Sequence, residues 1–203
     1  VHALGQVVSA TPAPDDADVD GVRGALNAMC GPSIAVTRAQ RAAPDFNARF
    51  SARSRTYVYA LWDADVHDPF LSRTAWHRPG RLDVAAMNEA AGHLTGPHDF
   101  RSFGRLPEPE ASAERVLFEL KAVRQGSLVR IRARANAFIH QMVRSLVGTL
   151  VEVGEARRDP GSVADVLAAR DRAAAGPVAP PHGLCLVSVE YDDGWSVPFD
   201  PYL

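Results

Sequence analysis

The run Leu128-Val129-Arg130-Ile131-Arg132-Ala133-Arg134-Ala135 leads directly into Asn136-Ala137-Phe138-Ile139-His140-Gln141-Met142-Val143-Arg144-Ser145-Leu146-Val147-Gly148. The first part alternates. Val129, Ile131 and Ala133 fall on one side and Arg130, Arg132 and Arg134 on the other, the period of a half-buried strand. The apolar positions then move to Ile139, Met142, Val143, Leu146, Val147, Leu150 and Val153. That is helical spacing, with one side of the helix in a core. Gly154 is well placed to stop the helix. Arg144 sits among these apolar positions. A guanidinium keeps its charge at working pH, so a partly buried one needs an anion. The partner is an Asp or Glu, a catalytic carboxylate or a substrate phosphate, and a structural ion pair is the commonest case.

Upstream of this run, Leu117 to Arg124 reads as a second strand, joined to Leu128 to Ala135 by Gln125-Gly126-Ser127 as a hairpin. Arg55 to Trp62 is another strand, with Tyr57, Tyr59 and Leu61 on one face. Asp83 to Leu94 reads as a helix capped by Asp83. Val19, Val22, Leu26 and Met29 are helix-spaced after Asp15 to Asp18 as candidate caps. His2 to Ser9, Ile34 to Thr37 and Leu184 to Tyr191 read as strands, and Ser162-Val163-Ala164-Asp165 as a capping box. Pro12 and Pro14 mark a loop, and the tail from Asp192 is polar. Mixed helices and strands with hairpins predict an α+β fold with antiparallel sheets and helices on one face.

The chain has 203 residues, 46% of them hydrophobic and 23% charged, with a net charge of −2. That is ordinary for a globular chain. It excludes strong non-specific attraction to nucleic acid but not a local basic surface. Cys30 and Cys185 are far apart and form no metal pair, which fits a reducing compartment. No apolar run reaches membrane-spanning length, so no membrane partner is expected. The chain opens on Val1, which reads as a processed or shortened chain.

Several residues are candidates for chemistry. Arg130, Arg132 and Arg134 form either a phosphate-tracking stripe or a solvated sheet face. Arg49, Arg53 and Arg55 lead into Tyr57 and Tyr59, a pattern that suits phosphates and stacked bases and equally suits a core tyrosine with basic neighbours. His67, His77, His93 and His98 match no metal-ligand spacing. Ser102 and Ser145 lack the context of a hydrolase nucleophile. There is no glycine-rich phosphate loop.

Five stretches, taken in order, resemble one family. Val1-His2-Ala3-Leu4-Gly5-Gln6-Val7 is similar to the end of a G-R-T-D-A-G-V-H signature. Asp45 to Ala52 with Arg55-Thr56-Tyr57-Val58-Tyr59 resembles F-x-A-R-F-S-A…R-x-Y-x-Y. His98 to Phe103 resembles H-D-F-x-S-F. Ala135 to Gly148 resembles A-N-A-F-x-x-x-M-V-R-N-x-V-G, and Ala179 to Leu186 resembles A-P-x-x-G-L-x-L. These are motifs of the bacterial tRNA pseudouridine synthase A family. Ser145 stands where the family has Asn, and Cys30-Gly31-Pro32 where it has Leu-Pro-Gly.

The resemblance implies an isomerase that converts uridine to pseudouridine at positions 38 to 40 of the tRNA anticodon stem-loop. It implies a cytoplasmic homodimer that uses no metal and no organic cofactor, with each tRNA touching both subunits. The expected fold is two ferredoxin-like halves whose antiparallel sheets join into one long sheet. Residues 1–44 would be the remainder of an incomplete first half. Residues 45–203 would be the second half, with the RNA-binding and active-site residues. The implied nucleophile is the aspartate of G-R-T-D, three residues before Val1, so the 203 residues alone are expected to be inactive. Tyr57 would stack on the flipped base and help move the C5 proton. Arg144 would pair with the aspartate and keep it ionised. His2, Arg49, Arg55, Arg130, Arg132 and Arg134 would face the RNA. The alternative is a catalytically inactive RNA-binding remnant of such an enzyme.

Overall fold

The computed structural model describes residues 1–10, 18–108 and 110–192. Pro12, Pro14, Asp15, Asp16 and the tail beyond Asp192 lie outside the described residues. Residues 1–6 with those from Ala52 onward form one compact unit, and Val7–Ser51 forms another.

The larger unit is an α+β sheet with helices. In chain order its elements are β1 (His2–Ala3), β2 (Ser54–Trp62), β3 (Trp76–His77), α2 (Val84–Gly92), β4 (Gly96–Asp99), β5 (Glu114–Gln125), β6 (Leu128–Ala135), α3 (Met142–Gly154), α4 (Ser162–Ala169) and β7 (Leu184–Glu190). The smaller unit contributes α1 (Val19–Cys30). The strand order is β1-β7-β2-β6-β5-β4, with β3 paired to the end of β2. All pairings are antiparallel except β1 with β7 and β2 with β3.

The alternation of β6 does what it predicts. Val129, Ile131, Ala133 and Ala135 are fully buried, in one core with Tyr59 and Leu61 of β2, Leu117, Leu120 and Ala122 of β5, Met87, Ala90 and Ala91 of α2, and Leu146, Val147 and Leu150 of α3. Burying each Val, Leu, Ile or Met among them contributes roughly 1.5–3 kcal/mol. Asn88 of α2 bonds both main-chain groups of Ala122, donating to its carbonyl at 2.9 Å and accepting from its N–H at 2.8 Å. This satisfies a stretch of β5 that β4 does not reach. Buried Asp63 accepts from Leu82 N at 3.1 Å and from Arg124 Nη1 at 2.5 Å, pinning the chain that enters α2 to the hairpin.

Some local expectations needed tertiary context. The helix of the central run begins at Met142, because Gln141 has φ of 65° and turns the chain sharply into it. Gly154 is the last helical residue rather than the left-handed stop, and that conformation falls on Ala156 at φ 55°. Glycine is needed at 154 for proximity instead: a Cβ there would lie 2.9 Å from Met87 Sδ. No capping box opens α4. Its cap is Gly161 without a side-chain bond, and Ser162 Oγ donates to Asp159 O at 2.7 Å.

The first strand is only His2–Ala3. Leu4 and Gly5 both donate to Leu186 O, and a Cβ on Gly5 would fall 2.2 Å from Val187 O. The chain there presses against a bulge rather than continuing a ladder. Thr56 pairs with Ser188 but Tyr57 with Leu186, so Val187 is an extra residue in β7.

In the smaller unit Asp18 caps α1 through Asp20 N. Val22, Leu26 and Met29 are exposed. Ile34 to Thr37 forms no strand, because its main chain has no strand partner among the described residues; Val36 instead bonds the Asn27 side chain, at 2.6 and 3.0 Å.

Candidate active site

Tyr57 lies on the helix-covered face of β2, in line with Tyr59 and Leu61, and it sits at the bulge in the β2–β7 pairing. Bulges re-aim side chains, and they recur beside active sites. Its ring meets Phe138 edge-on, with centroids 5.2 Å apart and an interplanar angle of 89°. Burial pushes its hydroxyl pKa up, opposed in part by the Arg55 charge. The phenol therefore stays protonated at neutral pH and can donate a hydrogen bond or a proton.

Arg55 shares that face of β2 and donates to Asn136 O at 2.9 Å. Asn136 ends β6. Its side-chain oxygen accepts from Val116 N at 2.9 Å and Ala137 N at 2.8 Å, which ties the start of the motif to β5.

Arg144 is in the first turn of α3 and is half-buried. Its Nε donates to Ala179 O at 2.5 Å, and its own carbonyl accepts from Ala179 N at 3.0 Å. The side chain is thus tied to main chain rather than to an acid. Among the described residues no carboxylate lies within ion-pairing distance of it, while other arginines, such as Arg78 and Arg124, do meet carboxylates. Among the described residues, then, an internal ion pair, the commonest reading of such a residue, is not what holds Arg144.

His2 is exposed, and its Nε2 bonds Arg73 O at 2.9 Å. It fastens β1 to the chain between β2 and β3. Arg49 belongs to the smaller unit, stacked on Phe50 at 5.3 Å with its N–H on Asn47 Oδ1 at 2.9 Å.

The arginine stripe is placed elsewhere. Residues paired across antiparallel strands point to the same side. Tyr57 pairs with Ala133, whereas Arg130, Arg132 and Arg134 pair with Ala60, Val58 and Thr56. The stripe is therefore on the sheet face opposite Tyr57. There Arg132 meets Glu119 at 3.3 Å, Arg134 meets Glu190 at 3.4 Å and lies over Phe118, and Arg130 meets Gln125 at 2.9 Å.

A cavity of about 300 Å³ lies at the far end of β2, lined by Trp62, Trp76, His67, His77 and His182. Its ring nitrogens serve the fold: Trp62 Nε1 donates to Val66 O, His77 Nε2 bonds Ala64 O and His182 Nε2 bonds Ala75 O.

The structure thus brings Tyr57, Arg55 and Arg144 to one side of the sheet and places the stripe on the other. It adds Phe138 and Ala179, which reading the sequence did not single out. Phe138 lies inside the A-N-A-F run. Ala179 opens the A-P-x-x-G-L run, where only the crossing of that segment over α3 gives it a role.

The chain also has named relatives. Residues 90–192 match the family described as tRNA pseudouridine synthase. The chain is 42% identical over 198 residues to tRNA pseudouridine synthase A of Paraburkholderia xenovorans (strain LB400), covering 98% of this chain and 73% of that protein. It is 44% identical over 200 residues to tRNA pseudouridine synthase A of Burkholderia mallei (strain SAVP1), with the same coverage. This chain belongs to the tRNA pseudouridine synthase A family.

Proposed function

We propose that the enzyme carrying these residues converts uridine to pseudouridine at positions 38 to 40 of the tRNA anticodon stem-loop, as a cytoplasmic homodimer whose tRNA touches both subunits. The reaction breaks the N1–C1′ bond and forms a C5–C1′ bond. C5 loses a proton and N1 gains one, so the nucleotide's composition is unchanged. The target base must leave the stack to be turned, and Tyr57 holds it face-on. The protonated Tyr57 hydroxyl is placed to take part in the C5 proton's transfer.

One observation carries this reading: Arg144 is held by main chain and faces no carboxylate of its own among the described residues. The carboxylate is supplied by the chain just before Val1. In support of this, the β1–β7 register sets His2 beside Cys185 and Ala3 beside Leu186, so Val1 lies at the end of β1 nearest the Pro181–Gly183 turn. That turn follows directly on Ala179, the partner of Arg144. Arg144 would keep the incoming aspartate ionised as a nucleophile. Arg55, Arg49 and His2 contact the RNA backbone in this reading.

The test measures tritium release from tRNA labelled at uridine C5. The 203 residues alone are compared with the chain extended through the preceding aspartate. The extended chain should release tritium from positions 38 to 40, and the 203 residues should release none. Turnover by the 203 residues alone would overturn the nucleophile assignment. Release from other positions would overturn the anticodon assignment. Light scattering of the extended chain, free and with tRNA, checks the dimer.

A further inference from the structure

The segment Gly176–Gly183 crosses α3 and is stitched down along its length. Gly176 N donates to the buried Thr149 Oγ1 at 2.9 Å, and Thr149 in turn donates to Ser145 O at 2.9 Å. A Cβ on Gly148 would lie 1.7 Å from Pro177 O, so segment and helix are in direct contact there. Ala179 makes two bonds to Arg144, one through its N–H and one through its carbonyl. The next carbonyl along, that of Pro180, accepts from Tyr59 Oη at 2.8 Å. The Tyr59 ring is fully buried, and a Cβ on Gly183 would sit 2.6 Å from its Cζ. His182 closes the series by bonding Ala75 O at 3.2 Å.

We propose that Tyr59 is a positioning residue for Arg144: its hydroxyl, by fixing Pro180 O, fixes the neighbouring Ala179 carbonyl that aims the guanidinium. Tyr59 touches no substrate in this arrangement. Its neighbour on the same face, Tyr57, meets the base, while Tyr59 acts one layer below through the 176–183 segment. Burial pushes the Tyr59 hydroxyl pKa far up, opposed in part by the Arg144 charge. The hydroxyl is therefore a donor at every working pH and the splint does not titrate. The effect on turnover rests on the role proposed above for Arg144; the effect on the side chain's order does not.

Two measurements on Tyr59→Phe separate these. In the 203-residue chain, hydrogen exchange of the Arg144 Nε–H is followed by NMR, with the resonance identified by its loss in Arg144→Lys. In the extended chain, kcat and the tRNA dissociation constant are measured. The expected result is faster Nε–H exchange, a fall in kcat of about tenfold or more, since small misplacements near reacting groups cost that much, and an unchanged tRNA affinity. Gly183→Ala, which displaces the Tyr59 ring instead of deleting its hydroxyl, should act in the same direction. Unchanged Nε–H exchange in Tyr59→Phe overturns the inference. Faster exchange with normal kcat, in an enzyme that Arg144→Met inactivates, also overturns it. If Arg144→Met itself keeps full turnover, the proposed function of Arg144 has failed, and the Nε–H exchange alone decides whether Tyr59 orders the side chain.

Discussion

Tyr57 and Arg144 carry the chemistry in the proposed reading, and each supports a separable expectation. Tyr57→Phe keeps the ring against Phe138 and loses only the hydroxyl. RNA binding should persist while turnover falls about 10²–10⁴-fold, the usual worth of a general acid–base group. Tyr57→Leu should weaken tRNA binding as well, since the stacking face goes. Wild-type turnover in both variants would make Tyr57 a packing residue. Arg144→Met removes one charge-assisted bond to Ala179 O, a loss of roughly 1.5–3 kcal/mol in folding. Activity should fall far more. A carboxylate deprived of its cation titrates higher, so the acid limb of the pH–rate profile should move to higher pH. Kinetics unchanged at every pH would remove Arg144 from the chemistry. How much of this was legible differs between the two. Tyr57 was visible as an aromatic on a strand, but its place at the β7 bulge and against Phe138 was not, because both depend on which segments pair and pack with β2. Arg144 was visible as a charge in an apolar stripe. That it bonds the main chain of a segment 35 residues away was not visible, because local periodicity carries no information on which loop crosses a helix.

At the scale of elements, the α3 crossing is the sharpest constraint. Gly148→Ala would drive a methyl group to 1.7 Å from Pro177 O. Main chain must move, so the variant should lose about 1–3 kcal/mol of stability, read as a lower denaturation midpoint at unchanged slope. The far end of α3 offers a pH test. Glu155 is partly buried, which alone would raise its pKa, but hydrogen bonds and charge from Arg78 and Arg157 outweigh this and hold it below the ordinary 4.5. A depressed carboxylate stabilises the fold above its unfolded pKa, and that contribution fades as pH falls through the lower folded value. Glu155→Gln should therefore flatten the loss of stability below about pH 4.5; an unchanged acid slope would show the pairs to be idle. Strand β6 was read correctly from residue 128 to residue 135 because alternation is local. Strand β1 and the 34–37 stretch were read too generously, because a strand also needs a partner, and sequence patterning does not show whether one is there. The α4 capping box was misread because the helix takes Gly161 as its cap, which leaves Ser162 inside the first turn with its hydroxyl donating back to Asp159 O.

At the scale of the whole molecule, the sheet has two unlike faces. One carries the core, Tyr57 and the helices. The other carries Arg130, Arg132 and Arg134, paired with Gln125, Glu119 and Glu190. Sequence alternation put the three arginines together but could not say whether they share a face with Tyr57; the register with β2 shows that they do not. Changing all three to Gln should leave the salt dependence of tRNA binding unaltered. A fall in slope approaching 0.9 per contact would show instead that the RNA reaches around to this face. The bulge in β7 has a consequence of another kind, for insertions and deletions. Leu184 and Leu186 point into the core before it and Val189 after it, so the inward residues change from even to odd at Val187. Loss of one residue at the bulge leaves both ends of the strand in frame. Loss of one residue from β6, which has no such slack against β2, turns an apolar row outward. Among homologous chains, length variation inside this sheet should therefore gather at the bulge and be absent from β6.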